Sequence, residues 1–311
     1  LNTLLDKWLE TAVKPRVSER THRDYARIAA RYVRPALGER LLTHVKPYDL
    51  QALYSDLQGR GLSPQTIRHV QNVLHNAYEQ AVRWQLASAN PAQHVDLPKK
   101  AHREMQAMSE AEAGRFLAAA ASDPLHALFT LLLGTGLRPS EAAALKWSNL
   151  DTLSKRLSVQ RTLQRPKGGG WTFDTTKTRR GTRTLALPDG LITTLLEHRT
   201  SAPANEHDLV FANENGGPLD MNNVRNRNFA AVCRRADLKG FDLYSLRHTH
   251  ATLLLIAGVH PKIVSERLGH ANISITLDTY SHVLPNMQQE AAEKLEALLF
   301  GRKQEEARAF N

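Results

Sequence analysis

The chain has 311 residues, of which 41% are hydrophobic and 23% are charged, a composition typical of a globular protein. Its length favours two domains, since single cores rarely grow beyond roughly 300 residues. No run approaches the roughly 20 apolar residues of a membrane-spanning helix, and the single cysteine, Cys233, excludes an intrachain disulfide framework. No signal-peptide pattern opens the sequence, so we expect a cytoplasmic protein without a membrane partner. The first residue is leucine rather than methionine, which suggests a trimmed N-terminus.

The net charge of +10 favours an anionic partner, either a nucleic acid or an anionic lipid surface. The charge is unevenly distributed, because residues 1–100 contain 15 Lys and Arg against 9 Asp and Glu. The N-terminal third is therefore the more basic part of the chain.

Residues 1–97 are predicted to form a helical unit. Within residues 18–35, apolar side chains recur at helical spacing, which predicts a helix capped by Ser18 or Thr21 and ended by Pro35. Arginines recur every three or four residues on the opposite side, with few acidic partners among them. Such a row suits a phosphate backbone, although a solvated helix face explains it equally well. The members of this arginine row are Arg16, Arg20, Arg23, Arg27, Arg31 and Arg34.

A second helix is predicted to begin after Ser63, which is placed to cap it, with Pro64 at its first position. Arg68 and Asn72 face away from its apolar stripe and are able to contact phosphates or base edges. An ordinary surface position is the alternative for each of them. The stripe consists of Ile67, Val70, Leu74, Ala77, Tyr78 and Ala81.

Residues 98–107 contain a proline and a basic run that interrupt the helical periodicity, and we interpret them as an interdomain linker. Residues 108–311 follow as a second unit, which opens on a helix capped by Ser109. Strand alternation appears between residues 156 and 187, with a hairpin turn predicted at residues 176–183. The fold class is therefore mainly α with a small antiparallel β-sheet. Two such units joined by an extended strand are able to close around a DNA duplex as a clamp.

The residues that carry chemistry are isolated from one another along the second unit. The sequence has no Walker loop, zinc pattern or G-x-S-x-G motif, and His248 and His250 would diverge on a helix, so we expect no metal site. Arg138 precedes a helix N-terminus, where anions are favoured, and Glu141 lies one turn on to orient its guanidinium. The further cationic candidates are Lys177, Arg247 and His270.

Two arginines, a lysine and a histidine are able to grip a phosphodiester and to stabilise charge on its oxygens. The hydroxyl of Tyr280 is then a candidate nucleophile. Each residue also has an ordinary explanation, with the arginines in salt bridges, Lys177 on a solvated turn and Tyr280 in the core. The residues taken singly leave both explanations open.

Five motifs in a fixed order carry a family resemblance: TGLRPSE, TKT, LRHTHA, LGH and TYSH. They resemble the tyrosine recombinases, and most closely the phage and conjugative-element integrases. The resemblance covers nearly the whole chain, with residues 1–97 similar to the core-binding domain and residues 108–300 similar to the catalytic domain. It implies a site-specific recombinase that integrates or excises a mobile element.

By this resemblance, Arg138 and Arg247 clamp the non-bridging oxygens of the scissile phosphate, bidentate contacts for which lysine is a poor substitute. Lys177 gives a proton to the departing 5′ oxygen, and His270 donates a hydrogen bond to the same phosphate. Tyr280 attacks the phosphorus and forms a 3′-phosphotyrosyl link that conserves the bond energy. The resemblance therefore implies no ATP, metal or other cofactor.

One position departs from the family pattern, which usually reads H-x-x-R. Tyr244 stands where the first histidine is expected, three residues before Arg247. A phenol has an ordinary pKa near 10, so at neutral pH it donates a hydrogen bond but is a poor base. We expect Tyr244 to support the phosphate rather than to move a proton.

The resemblance implies double-stranded DNA attachment sites as the main partner. It also implies assembly into a homotetramer on DNA, in which a C-terminal helix carrying Leu295, Leu298 and Leu299 docks onto a neighbour; packing on its own domain is the alternative. Accessory DNA-bending or directionality factors are further candidate partners. Integrases of this type often carry an additional N-terminal domain that binds arm-type DNA sites, for which we see no counterpart.

Two other functions compete with the recombinase hypothesis. A catalytically impaired DNA-binding protein of the same fold is favoured only by the missing histidine at Tyr244. A type IB topoisomerase-like enzyme uses similar chemistry without strand exchange, but the two-unit layout and the segment LGHANISITLDTYSH speak against it.

Overall fold

The computed structural model describes residues 1–99, 105–166, 169–175, 181–280, 292–293 and 295–299. The chain divides into two compact units, Leu1–Arg103 and Glu104–Asn311. Half of the predicted linker, residues 100–104, lies outside the described residues, so the predicted domain limits stay a prediction. Within the described ranges, no helix has both the length and the apolarity needed to cross a membrane.

All regular secondary structure in the described residues of the first unit is helical. Ser18 caps α2 by accepting from the Thr21 N–H, and Ser63 caps α5 by accepting from the Thr66 N–H, as the sequence predicts. Its α-helices are α1 (Asn2–Lys7), α2 (Glu19–Ile28), α3 (Arg34–Leu37), α4 (Pro47–Gly59) and α5 (Pro64–Arg83), with π-helical turns at Trp8–Val13 and Ala29–Val33 and 3-10 turns at Leu42–His44 and Pro91–Gln93.

The prediction that Pro35 ends the α2 helix is wrong. The chain passes from α2 through the π-helical turn Ala29–Val33 directly into α3, and the helix ends at Gly38. Proline lacks an N–H and its ring clashes with the carbonyl four residues earlier. A local π-helical turn changes the hydrogen-bond pattern just before such a position, so the helical path continues.

The core of the first unit surrounds α5. All six side chains of its predicted apolar stripe are buried, and Val73 is buried with them. Trp8 stacks on Tyr25 at a ring distance of 5.7 Å, which ties the first helix to α2. The Tyr78 hydroxyl donates to the Leu42 carbonyl, so a buried polar group is satisfied where the 3-10 turn meets α5.

The second unit is mainly helical. Ser109 caps α6 in a capping box with Glu112, as predicted. Its α-helices are α6 (Glu110–Ala120), α7 (His126–Thr135), α8 (Pro139–Ala143), α9 (Asp189–Ser201), α10 (Met221–Asn223), α11 (Ala230–Arg235), α12 (Ser245–Ile256), α13 (Pro261–Leu268) and α14 (Ile273–Tyr280), with a 3-10 turn at Trp147–Asn149 and a π-helical turn at Val224–Phe229.

Short antiparallel strands make up the β part of the second unit. The described strands are β1 (Leu150–Asp151), β2 (Arg156–Val159), β3 (Arg161–Gln164), β4 (Thr172–Thr175) and β5 (Arg183–Ala186). One sheet has the order β1-β2-β5, with Leu157 opposite Leu185, and the other pairs β3 with β4, with Leu163 opposite Phe173. The fold class predicted from the sequence is confirmed.

The hairpin predicted at residues 176–183 is wrong. Strands β4 and β5, which flank this segment, lie in different sheets, and each pairs with a neighbouring part of the β2–β3 segment instead. The two strands that flank the segment are therefore not paired with each other in the described sheets. Residues 176–180, including Lys177, lie outside the described residues.

The main core of the second unit contains three phenylalanines, Phe116, Phe129 and Phe229, whose ring centroids lie 5.4 to 6.1 Å apart. A smaller cluster joins α12, α13 and α14, and it contains Leu255, Val264, Leu268 and Tyr280. The three tail leucines named from the sequence are all exposed, so the tail helix does not bury them in its own unit.

Candidate active site

Two helix C-termini supply the framework of the site. Helix α7 ends at Gly136 and helix α13 ends at Gly269, both in the left-handed conformation with φ of 66° and 67°. This conformation turns the chain sharply and leaves the last carbonyls of each helix without partners inside the helix. A Cβ at position 136 would lie 2.6 Å from the His250 ring and 2.8 Å from Leu268, so only glycine fits this turn.

Arg247, near the start of α12, joins these two helix ends. Its Nη1 donates to the Gly136 carbonyl at 2.6 Å and its Nη2 donates to the Leu268 carbonyl at 2.8 Å. The side chain is buried, with the residue only 5% exposed. Cations are stabilised at helix C-termini, and the two bonds fix the plane of the guanidinium. Burial, with the charge of Arg138, lowers the pKa of Arg247 to about 9, so it stays a cation at neutral pH.

Arg138 lies at the N-terminus of α8, as predicted, and Glu141 orients it. The Arg138 Nη1 donates to Glu141 Oε1 at 2.7 Å, and its backbone N–H donates to Oε2 at 2.9 Å. The Nη2 of Arg138 also donates to the Gly269 carbonyl at 3.4 Å. Both arginines therefore meet at the end of α13, although 109 positions separate them in the sequence.

A third arginine, Arg183 from β5, completes this cluster. Its Nη2 donates to Glu141 Oε2 at 2.9 Å, and its Nε donates to the Arg267 carbonyl at 2.6 Å. Its side chain is 7% exposed and that of Glu141 is 1% exposed. Burial disfavours the Glu141 carboxylate, but the bonds and charges of Arg183 and Arg138 outweigh it and lower its pKa. Glu141 thus binds two of the three arginines of the cluster, and Arg247 has no carboxylate bound to it among the described residues, which leaves the site strongly positive.

His270 follows Gly269, and its ring is held by α14. Its Nδ1 lies 2.8 Å from the hydroxyl of Thr276, which is buried. Burial, with the charges of Arg247 and Arg138, lowers the pKa of His270 to about 4. The ring is therefore neutral at pH 7. When the Thr276 hydroxyl donates to Nδ1, the ring proton stays on Nε2, which becomes a hydrogen-bond donor.

Tyr280 is the last residue of α14 and is only 2% exposed. Its ring packs in the cluster with Leu255 and Leu268, and its hydroxyl lies 2.7 Å from Nδ1 of His248. Burial raises the pKa of Tyr280 to about 12, while the charge of Arg247 acts in the opposite direction. The phenol is protonated at neutral pH and lies within the field of the arginine cluster.

His250 has a structural role beside the site. Because a carbonyl only accepts, its Nδ1 donates to the Leu133 carbonyl at 2.9 Å, which leaves Nε2 to face the Arg267 Nε at 3.5 Å. Burial, followed by the charge of Arg267, lowers the pKa of His250 to about 4. The neutral ring supports both the Gly136 turn and the chain at Arg267.

The structure brings together most of the catalytic candidates named from the sequence. Arg138, Glu141, Arg247, His270 and Tyr280 lie around one positive site. The position of Lys177 lies outside the described residues. Tyr244, at the N-terminal end of α12, is 50% exposed, and no hydrogen bond of its hydroxyl is found within the described residues.

Two residues of the site were missed by the sequence reasoning. Arg183 lies in no recognisable sequence motif. It reaches Glu141 only because β5 lies next to α8 in the folded unit. His248 was considered only as half of a metal pair with His250, and those two rings do diverge. One signal in the sequence could have identified His248: it directly follows Arg247, the predicted phosphate contact.

The arginine row of the first unit is only partly as predicted. The expectation of few acidic partners is wrong for three members: Arg23 lies 3.7 Å from Glu19, Arg27 lies 3.0 Å from Asp24, and Arg34 contacts Asp6. Glu19 and Asp24 lie one helical turn from their arginines, and Asp6 lies on α1. Counting charges along the row of arginines does not reveal these pairs.

The other members of the row differ from these three. Arg16, Arg20 and Arg31 are exposed and have no acidic partner within 4 Å in the part of the chain that the structure describes. Arg31 lies over the Tyr32 ring at 5.5 Å, and Arg16 lies in the turn before α2 rather than on the helix.

Arg68 and Asn72 take different positions on α5. Arg68 is half-buried, and its Nη2 donates to the Pro98 carbonyl at 3.2 Å, so its contact with DNA stays a prediction. This bond holds the Arg68 guanidinium against the segment that follows α5 in the first unit. Asn72 is exposed and remains a candidate contact.

The fold and the site define a class of protein. A mainly helical unit with small antiparallel sheets holds several guanidinium groups next to a tyrosine hydroxyl, an arrangement suited to an anionic ester and a phenol nucleophile. Residues 103–287 match the Phage integrase family, and residues 1–58 match the domain described as Phage integrase, N-terminal SAM-like domain.

Individual proteins show the same likeness. The chain is 31% identical to a tyrosine recombinase XerC-like protein of Caldanaerobacter subterraneus subsp. tengcongensis, covering 96% of this chain and 83% of that protein. It is 27% identical to the ICEBs1 integrase of Bacillus subtilis, over 78% of this chain and 68% of the integrase. The chain belongs to the phage integrase family of tyrosine recombinases and is a site-specific recombinase.

Solved structures share the fold. The integrase of transposon Tn1549 in complex with transposon right end DNA superposes with a TM-score of 0.83 at 24% identity, covering 95% of this chain and 99% of that one. A lambda integrase dimer bound to a COC′ core site superposes with a TM-score of 0.69 at 18% identity, covering 88% and 96%.

Proposed function

We propose that this protein cuts and rejoins double-stranded DNA at an attachment site through a 3′-phosphotyrosyl intermediate on Tyr280, and thereby integrates or excises a mobile element. The observation that carries the proposal is the position of the Tyr280 phenol in the same site as Arg138 and Arg247 of the same chain. The two guanidinium groups clamp the non-bridging oxygens of the scissile phosphate.

The arginine cluster supports this role by its geometry. Arg247 uses two N–H groups on the carbonyls of Gly136 and Leu268 and retains other N–H groups for a ligand. Arg138 is about one-third exposed, so it is the more accessible of the pair. Groups that are fixed before the substrate binds need no rearrangement when charge develops on the phosphate oxygens.

The other candidates fit around this pair. His270, neutral and held by Thr276, donates from Nε2 to the phosphate. Lys177 acts as general acid toward the departing 5′ oxygen. Tyr244, exposed at the start of α12, supports the phosphate as a hydrogen-bond donor and does not replace a base.

The partner is duplex DNA, and the assembly is a homotetramer on that DNA. The described tail leucines are exposed, which supports docking of the tail on a neighbouring protomer. The Tn1549 and lambda integrase structures contain DNA, and lambda integrase also forms a tetramer on a Holliday junction. Because its substrate is chromosomal DNA, the protein acts in the cytoplasm.

Arg16, Arg20, Arg31 and Asn72 are the remaining contact candidates of the first unit. They are exposed, and the three arginines are without acidic partners among the described residues. The ion-paired members of the row contribute less, since a phosphate must compete with the acid already bound.

The proposal is tested with a nicked duplex that carries the element's own attachment site, so that cleavage traps the covalent product. Wild type is expected to give a protein–DNA adduct on a denaturing gel, and Tyr280→Phe is expected to give none. Tyr48→Phe, the same change at an exposed tyrosine of α4, is the control and should give as much adduct as wild type. DNA binding without any adduct in wild type would instead indicate a catalytically impaired DNA-binding protein.

A further inference from the structure

We propose that His248 is the residue that accepts the proton of Tyr280 as the phenol attacks the phosphorus. This inference rests on the proposed function and adds a catalytic residue that the H-x-x-R pattern does not include. In this chain the first position of that pattern is Tyr244, so the proton acceptor must lie elsewhere.

The contact between the two side chains is direct. Nδ1 of His248, on α12, lies 2.7 Å from the Tyr280 hydroxyl, on α14, and their ring centroids lie 5.9 Å apart at an interplanar angle of 49°. A general base must lie within hydrogen-bond reach of the proton that it removes. This distance meets that requirement in the free protein.

The position of His248 is fixed by its neighbours on α12. It follows Arg247, which is held by two carbonyls, and α12 packs against α13 and α14 through the cluster that contains Leu255, Leu268 and Tyr280. A movement that brings the phosphate to Arg247 therefore brings it next to the His248–Tyr280 pair. The base, the nucleophile and the phosphate contact therefore lie on helices that pack in one cluster.

The charged and titratable groups around His248 favour its neutral form. Burial, followed by the charge of Arg247, lowers the pKa of His248, while Asp242, which lies before α12, acts in the opposite direction. His270 and Tyr280 face it from the α13–α14 side and are both uncharged at neutral pH. A neutral imidazole with the proton on Nε2 has a free electron pair on Nδ1 to accept the phenol proton.

Other side chains of the described site are committed elsewhere. His270 uses its Nδ1 on Thr276, and Glu141 is bound by Arg138 and Arg183. Tyr244 is half-exposed and has a phenol of its own rather than a basic nitrogen.

DNA cleavage by Tyr280 is then a displacement at phosphorus that is coupled to proton transfer. The Tyr280 oxygen forms a bond to phosphorus, the bond from phosphorus to the 5′ oxygen breaks, and the phenol proton moves to Nδ1 of His248. The leaving 5′ oxygen takes its proton from the general acid, for which Lys177 is proposed. Rejoining is the reverse: a 5′ hydroxyl returns its proton to the general acid and attacks phosphorus, the bond from phosphorus to the Tyr280 oxygen breaks, and that oxygen recovers the proton from the His248 imidazolium. No oxidant, metal or nucleotide enters the step.

The experiment compares single-turnover cleavage of the nicked duplex by wild type and His248→Asn across a range of pH. The asparagine Oδ1 takes the position of Nδ1, so it accepts the phenol hydrogen bond but does not take up the proton. Loss of a general base is expected to slow cleavage by about 10²- to 10⁴-fold and to move the rise of the rate to higher pH, with DNA binding unchanged.

A second measurement replaces Tyr280 by a fluorinated tyrosine, whose phenol is more acidic and needs less help from a base. It should restore cleavage by a larger factor in His248→Asn than in an otherwise wild-type protein. Thermal unfolding and DNA binding of each variant show whether it is folded.

The outcomes separate this inference from the proposed function. A His248→Asn protein that cleaves at the wild-type rate with an unchanged pH profile overturns the role of His248 and leaves the nucleophile intact. Equal restoration by fluorotyrosine in both backgrounds assigns His248 to positioning alone and likewise overturns the inference. Absence of any adduct from wild type removes the proposed function and this inference together.

Discussion

The site of the second unit contains buried, fixed arginines, whereas the arginines of the first unit are mostly exposed. A fixed guanidinium can position a ligand precisely, whereas an exposed one contributes general attraction for an anionic partner. In the second unit, Arg183 and Arg247 are buried and bound to main-chain carbonyls and Glu141. In the first unit, the arginine row is mostly exposed, and its ion pairs lie at the surface. A buried guanidinium is fixed before a ligand arrives, whereas an exposed one keeps its rotamer freedom.

The first test of this difference between buried and exposed arginines removes a buried one. Arg183→Met leaves Glu141 buried with one cationic partner fewer, and breaking a buried pair costs about 3–5 kcal/mol of unfolding free energy. Arg23→Met at the exposed pair with Glu19 is the matched change and should cost under about 1 kcal/mol. Chemical denaturation of the full chain measures both. Equal losses in the two variants would show that burial makes no difference.

The second test uses pH. The pKa of His250 is about 4 in the folded protein against 6.5 ordinarily, because of burial and then the charge of Arg267. Between these values the unfolded chain binds the proton more tightly, so this stability is fully present above pH 6.5 and is lost as pH falls toward 4. The loss is about 3 kcal/mol, measured by unfolding at each pH.

The matched variant for the pH test is His250→Asn, which keeps a donor toward the Leu133 carbonyl but does not titrate. It should flatten the dependence between pH 4 and 6.5 relative to wild type. A wild-type curve that is already flat over this interval contradicts the assignment of His250 as a neutral structural residue.

The third test concerns the ring orientation of His270. Thr276→Val removes the hydroxyl that holds Nδ1 and is expected to slow adduct formation roughly five- to tenfold, the effect of one neutral hydrogen bond. Thr276→Ser keeps the hydroxyl and should stay close to wild type. If the serine and valine variants are slowed equally, the hydroxyl has no part in orienting the ring.

The smallest effect is expected in the arginine row. Arg20→Gln should lower the salt slope of DNA binding by about 0.9, the value for one phosphate contact. Arg27→Gln should change the slope less, because Arg27 is already paired with Asp24. Binding titrations across a range of salt concentrations measure both slopes, and identical slopes for the two variants would argue against a distinction between paired and free members of the row.

Local chemistry accounts for the parts of the fold that the sequence predicted. Ser18, Ser63 and Ser109 cap helices because a hydroxyl and the N–H three residues later are enough to define a helix start. The errors at Pro35 and at residues 176–183 have a nonlocal origin. A π-helical turn and the partner of a strand are decided by contacts that no short window contains.

The site shows the same division. Arg138 and Glu141 belong to one helix start, so spacing alone places them together, and the ordered motifs of a recombinase family point to Arg247, His270 and Tyr280. Arg183 and His248 act through contacts across elements, β5 to α8 and α12 to α14, which spacing does not reveal. Tertiary structure was needed to find them.

The central claim is that one subunit supplies both the phosphate clamp and the nucleophile. The most direct measurement mixes an impaired protein, Arg247→Lys, with an inactive one, Tyr280→Phe, on the nicked attachment-site duplex and quantifies the adduct. Lysine cannot reproduce the two carbonyl bonds and the phosphate contact of Arg247, so the first protein alone should lose about 10²- to 10³-fold in rate. We expect the mixture to form no more adduct than the Arg247→Lys protein by itself. Recovery of adduct toward the wild-type level in the mixture would mean that the phenol acts in a neighbouring subunit's site, and it would contradict the account.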